Sequence, residues 1–194
     1  MILLMLFSEF LNPCLSLNIL AMDDYTDDYF SYLYQFELEN DFSLKEIGWG
    51  AFIDYFYKEN YPFSDPYFIK SGLPVEINVG GGGLQLKYFV MKSIELGAKF
   101  GYYAGKIFYP VLGDSGRVIQ KSDWRKSFGF SFGVGLLHNF GRIKGGLRFY
   151  TNLISFGVKK RPYWYEYYNR SVDYISLNSV GFGLVFGLGR SEEK

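Results

Sequence analysis

Cysteine and histidine are almost missing: the 194 residues include one of each, Cys14 and His138. A single cysteine excludes a disulfide framework within the chain and a cysteine-rich zinc site. A single histidine excludes the common histidine-based metal centres. Net charge is missing too, since 20 basic side chains balance 20 acidic ones. That removes the basic excess on which nucleic-acid binding depends. Long hydrophobic runs are the third absence. The mean hydropathy is −0.02, and no stretch reaches the roughly 18 apolar residues of a membrane-spanning helix. What the chain has instead is 23 Gly, 20 Phe, 18 Tyr and 3 Trp, with only 6 Pro. Aromatics and glycine together point to β structure, soluble or membrane-spanning, in one domain or a single barrel.

The first residues, MILLMLFSEFLNPCLSLNILA, precede an acidic MDDYTDDY segment. An apolar stretch ending on a small residue before a polar one reads as a secretory signal peptide over 1–21, with a single domain over 22–194. The leader lacks basic residues at its start, and Glu9 interrupts it. Residues 15–22 also read as a strand, so both assignments compete for the same stretch. A lipid-modified Cys14 is disfavoured, because Asn12 and Pro13 stand where small residues are needed.

From Tyr29 onward the chain alternates with period two, the mark of strands. Phe30, Tyr32, Tyr34, Phe36 and Leu38 oppose Ser31, Gln35, Glu37 and Glu39. Phe128, Phe130, Phe132, Val134 and Leu136 oppose Ser127, Gly129, Ser131, Gly133 and Gly135. The same pattern recurs around residues 47–55, 94–102, 143–153 and 180–188. One segment breaks phase: Ile77 and Val79 are odd-numbered, Leu84, Leu86 and Tyr88 even, with Gly80 to Gly83 between them. That run predicts a bulge or a sharp turn. Alternation alone does not say which face is inside, but size does. The apolar face carries too many aromatics for the narrow interior of a small barrel, whereas Gly, Ser and a few charges fit it. The apolar face therefore belongs outside, against lipid.

Seven segments emerge, at 29–39, 44–57, 72–90, 94–105, 126–138, 143–156 and 171–188. Short turns at 40–43, 91–93 and 139–142 alternate with long loops at 58–71, 106–125 and 157–170, as in barrels with short periplasmic turns and longer extracellular loops. Bacterial barrels use an even number of strands. An ascending strand is therefore missing ahead of the first segment, and 15–22 is the only upstream candidate. The expected fold is an all-β, antiparallel, up-and-down transmembrane β-barrel of eight strands in a bacterial outer membrane.

Four stretches, LPVEINVGGGGLQLKYF (73–89), GFSFGVGLL (129–137), GGLRFYTNLISFG (145–157) and NRSVDYISLNSVGFGLVFGLG (169–189), carry a further likeness. Over this part the chain resembles the bacterial outer-membrane β-barrel domain family that includes the PorT-like proteins. The resemblance implies an eight-stranded outer-membrane barrel, usually without a defined activity. It departs from the usual pattern at the terminal aromatic, because Phe186 is followed by eight more residues.

The charges expected to face the lumen are Glu37, Glu39, Glu46, Asp54, Glu76, Lys87, Glu95, Lys99, Lys144 and Arg148. They read either as a gated ion path or as mutually neutralising pairs that plug the interior. Catalysis at His138 would need a convergent serine and acid, and its place at a short periplasmic turn, the wrong side for outer-leaflet chemistry, makes it an interfacial residue. In loop 158–173 Lys159, Lys160, Arg161 and Arg170 stand among Tyr163, Trp164, Tyr165, Tyr167 and Tyr168. This loop reads as a surface site for an anionic glycan, lipopolysaccharide phosphate or host ligand, or as an interfacial girdle meeting lipid headgroups. The 106–125 loop gives a weaker basic signal. Asp23, Asp24, Asp27 and Asp28 lack the spacing of a calcium loop, and Asn169-Arg170-Ser171 is a short glycosylation triplet.

The expectation is thus a small, monomeric, non-enzymatic barrel without cofactor or metal. It serves envelope integrity or surface binding through its long loops, with outer-membrane lipid, lipopolysaccharide and the barrel-assembly machinery as partners. The alternatives are a narrow pore for ions or small solutes and, below that, a lipid A-modifying enzyme.

Overall fold

Alternation puts successive side chains on opposite faces of a strand. In the computed structural model of this chain the faces divide into an apolar outside and a filled inside. Residues 12–23, 30–44, 46–58, 73, 76–140, 143–157 and 174–188 are described. They form β1 (Asn12–Asp23), β2 (Phe30–Leu44), β3 (Ile47–Lys58), β4 (Glu76–Met91), β5 (Ile94–Leu112), β6 (Val118–Phe140), β7 (Ile143–Gly157), β8 (Tyr174–Ser176) and β9 (Ser179–Leu188). Each strand from β1 to β6 pairs antiparallel with the next, and β9 pairs with both β7 and β1, closing the sheet on itself. β8 continues β9 in one register along β7, with the Leu177 amide donating to the Ile154 carbonyl at 2.7 Å between them. The wall therefore has eight strands, and β1 is the one that the seven segments lacked. Closure leaves no open edge, so every wall strand has two neighbours for its backbone groups.

Over its middle band the outer face is apolar. Trp49, Ile53, Leu84, Leu86, Phe128, Phe130, Phe132, Phe149, Phe182 and Phe186 are among the exposed large side chains, and the 12 residues of β3 alternate exposed and buried without a fault. Aromatic rows tie neighbouring strands: Phe100 stacks on Phe128 at 5.6 Å and tilts against Phe130 at 5.0 Å. A surface of this kind is stable against hydrocarbon and unstable in water.

Three details differ from the sequence reading. First, Asn40 and Asp41 are not a turn: β2 runs on to Leu44, and Asp41 stays buried inside. Second, Gly80 to Gly83 make neither bulge nor turn, because pairing with β3 and β5 runs through them without a shift. What changes at the glycines is the chemistry of each face. Ile77 and Val79 point inward above them, and Gln85 and Lys87 point inward below. Third, 106–125 is mostly hairpin. β5 and β6 pair continuously up to Leu112 and Val118. The turn is closed by the Gly113 amide donating to the Arg117 carbonyl at 2.8 Å, with Gly116 at φ 73°, where a side chain would be strained. Pro110, Gly113, Asp114 and Gly116 mimic a loop in sequence. Beyond the bilayer, outward positions no longer have to be apolar, so the strand signal fades while the pairing goes on.

Candidate functional site

The barrel interior is the most densely functionalised region among the described residues, and it has three layers. The half near the short turns is ionic. β2 contributes Glu37, Glu39 and Asp41, β4 Lys87, β5 Glu95 and Lys99, and β7 Lys144 and Arg148; all but Lys144 are buried. Lys87 Nζ lies 2.7 Å from Glu39 Oε2 and 2.5 Å from Asp41 Oδ2. Lys99 pairs with Glu37, and with Glu39 Oε1 at 2.7 Å. Arg148 Nη1 reaches Glu39 Oε1 at 2.7 Å and Glu37 Oε1 at 3.2 Å, while its Nη2 pairs with Glu95. Lys144 closes the chain on Glu95 at 3.4 Å. The Tyr150 hydroxyl donates to Glu37 at 2.7 Å and accepts from Arg148 at 2.7 Å. Glu37 and Glu39, two like charges on one strand, are held together only because one guanidinium and one ammonium reach both.

Acids and bases in this cluster balance, Glu37, Glu39, Asp41 and Glu95 against Lys87, Lys99, Lys144 and Arg148. Lys99 Nζ also sits 5.2 Å from the Phe52 ring and 5.1 Å from the Tyr150 ring. The cavity that Glu39, Lys87, Lys99, Ser131, Arg148 and Tyr150 help to line has about 10 Å³ of free space, which is about one water's room.

A hydrogen-bonded layer lies above. The Tyr103 hydroxyl donates to Asp54 at 3.1 Å, Ser131 donates to Asn152 at 2.6 Å, and Asn152 donates to Ser179 at 3.1 Å. Above this the half facing the long connections is an apolar core. Leu33, Phe56, Ile77, Val79, Ile107, Val111, Ile154, Phe156 and Leu177 are all fully buried there. Aromatics do enter the lumen, contrary to the size argument, and glycines make the room for them. A Cβ at Gly81 would meet Tyr103 Cδ1, one at Gly101 would stand 2.8 Å from Phe52 Cζ, and one at Gly129 3.0 Å from Tyr103 Cε2.

Of the residues singled out in the sequence, Glu37, Lys87, Glu95, Lys99, Lys144 and Arg148 come together in the ionic layer, with Glu39; Asp54 sits just above it. Glu76 does not: it shares the outward face of β4 with Asn78, which accepts from exposed Tyr55 at 2.9 Å. The odd-numbered Ile77 and Val79 occupy the inside there, so the phase assigned to Glu76 is reversed. Glu46 is exposed in the β2–β3 turn. His138 is exposed near the short-turn end of β6, 4.6 Å from the Phe140 ring. Lys159, Lys160, Arg161, Tyr163, Trp164 and Tyr165 lie outside the described residues, as do Asp24, Asp27, Asp28 and Asn169 to Ser171. The sequence reading missed Asp41, Gln85 and Tyr150. Tyr150 carried a usable signal, lying two positions from Arg148 on its face.

Closed ring, apolar exterior and filled interior define one architecture. The fold is a transmembrane β-barrel. One solved structure agrees in fold. Neisserial surface protein A is similar over 93% of this chain and 95% of its own, at 11% identity and a TM-score of 0.51. The β domain of the Bordetella autotransporter BrkA is similar over 92% of this chain and 70% of its own, at 14% identity and a TM-score of 0.44. No family model and no curated protein matches the sequence.

Proposed function

We propose that this chain is a closed, non-enzymatic barrel of the bacterial outer membrane that serves envelope integrity or surface binding rather than transport. One observation carries the proposal: the lumen is blocked twice, by the ionic layer and by the apolar core above it. A conducting filter must let ions enter and leave. Here the charges are paired with one another, and the core above is mostly apolar, its buried Asp123 already held by the Tyr109 hydroxyl and Arg125. Work is then left to the two ends and the outer wall. The basic, aromatic segment from Lys159 to Tyr165 is the surface site that this reading favours, and the PorT-like resemblance supports a barrel of the same general kind. Barrel-assembly machinery and lipopolysaccharide are the partners that such a protein meets.

Planar-bilayer recording on the refolded chain tests the closed lumen. The expected trace is flat, and steady single-channel steps would establish a pore instead. Lipid A of unchanged mass in cells with and without the protein is expected as well; a changed acylation pattern would identify an enzyme.

A further inference from the structure

The outward face of β5 and β6 changes character just above the apolar band. Phe100, Tyr102, Phe128 and Phe130 form its upper aromatic rows, with Tyr102 edge-on to Phe128 at 5.2 Å. The next two rows are basic. Lys126 pairs in register with Ala104, and Trp124 with Lys106. Lys106, Lys126 and Trp124 are all exposed, Trp124 at 69%. The two lysines are diagonal neighbours on adjacent strands, a separation of roughly 7–8 Å at the backbone that flexible side chains readily close. Lys106 already leans over Phe108, its ammonium 4.8 Å from the ring. Ala104 and Gly80 stand in the row of Lys126, one row below Lys106, so no bulky side chain fills that row between Lys106 and the band.

Height identifies what meets these residues. From Ile94 at the short turn to Lys106, a rise of about 3.3 Å per residue and a tilt of about 40° give roughly 30 Å. The apolar band of such a barrel is about 25 Å tall. The two ammonium groups therefore stand just beyond the hydrocarbon, at headgroup level, on the leaflet reached by the long connections. Among the described residues of β4, β5 and β6, the one acidic residue on this outer face is Glu76. It is paired with Phe108, one row further out than Lys106.

We propose that Lys106, Lys126 and Trp124 form a binding site for a phosphorylated glycolipid headgroup of the outer leaflet. The lysines take the phosphate, and the indole packs on the sugar or the acyl boundary. The site rests on the outer-membrane orientation proposed above. It uses a compact ammonium pair, which suits a phosphate approached from several directions, and an aromatic ring of the kind that settles at membrane interfaces.

The test is native mass spectrometry of the refolded full chain titrated with diphosphorylated lipid A or with its fully dephosphorylated form. Wild type is expected to retain the diphosphorylated lipid and to bind the dephosphorylated form about tenfold more weakly. The double variant K106Q/K126Q is expected to lose about tenfold for the diphosphorylated lipid alone, and W124A to weaken both. K92Q, at the opposite end, should match wild type. Equal retention of the two lipids by wild type, or an unchanged affinity in K106Q/K126Q, would overturn the site. Heat-modifiable gel mobility is measured on every sample. A heat-modifiable double variant with full affinity refutes this proposal and leaves the barrel standing, whereas a wild-type chain without that mobility refutes both.

Discussion

Arg148 is the residue on which the ionic layer depends. It is buried, and it touches Glu37, Glu39 and Glu95 from one position on β7. Removing one partner of a buried pair strands the other charge, at a cost of about 3–5 kcal/mol. Arg148→Met is therefore expected to lower the unfolding free energy of the refolded barrel by about that amount in a urea titration. Arg148→Lys should recover part of it, since an ammonium reaches fewer of the three carboxylates. Gly81 tests packing rather than charge. Gly81→Val would press on Tyr103 and on the Tyr102 carbonyl, 2.8 Å from the added Cβ, and overfilling of this kind costs about 1–3 kcal/mol. Glu37, Glu95, Lys99 and Arg148 are legible in the sequence, because a charge in phase with glycines and opposite aromatics faces inward. Asp41 is not, since beside Asn40 it looks like a turn, and only Gln85 and Lys87, far along the chain, explain why it stays in the strand.

Strands were legible by face and less so by length. Outward positions are forced to be apolar only inside the bilayer, so alternation marks the membrane crossing and stops where pairing continues. That is why the β5–β6 hairpin beyond Lys106 reads as a loop. It is also why β4 seems to lose phase at its glycines, where an apolar interior gives way to a polar one in the same register. β1 is the element with most at stake. Its register against β2 and β9 closes the ring, and cleavage after Ala21 would leave only Met22 and Asp23 of it. Two long strand edges would then face lipid with unpaired backbone groups, which a membrane does not tolerate. The mature chain is expected to retain residues 12–23, as N-terminal sequencing from isolated membranes would show. A chain lacking them should refold without heat-modifiable mobility.

At the scale of the whole molecule, the division of side chains has a consequence that depends on the surroundings. If the outer wall faces lipid, a new charge there should cost energy according to its depth; in water it would cost almost nothing at any height. Phe132 lies midway along the apolar run of β6 from Phe128 to Leu136, and Ser122 faces outward on the hairpin above it. Phe132→Arg is expected to destabilise the barrel in phospholipid vesicles by about 2–4 kcal/mol, and Ser122→Arg by about 0–1 kcal/mol. Tyr102→Arg, at the aromatic row between them, should fall in between. Reversible folding titrations in vesicles measure all three. Equal, small losses at the three heights would mean that the aromatic face is covered by something other than hydrocarbon. A graded series would locate the bilayer along β5 and β6, and with it the height of Lys106 and Lys126 above the membrane core.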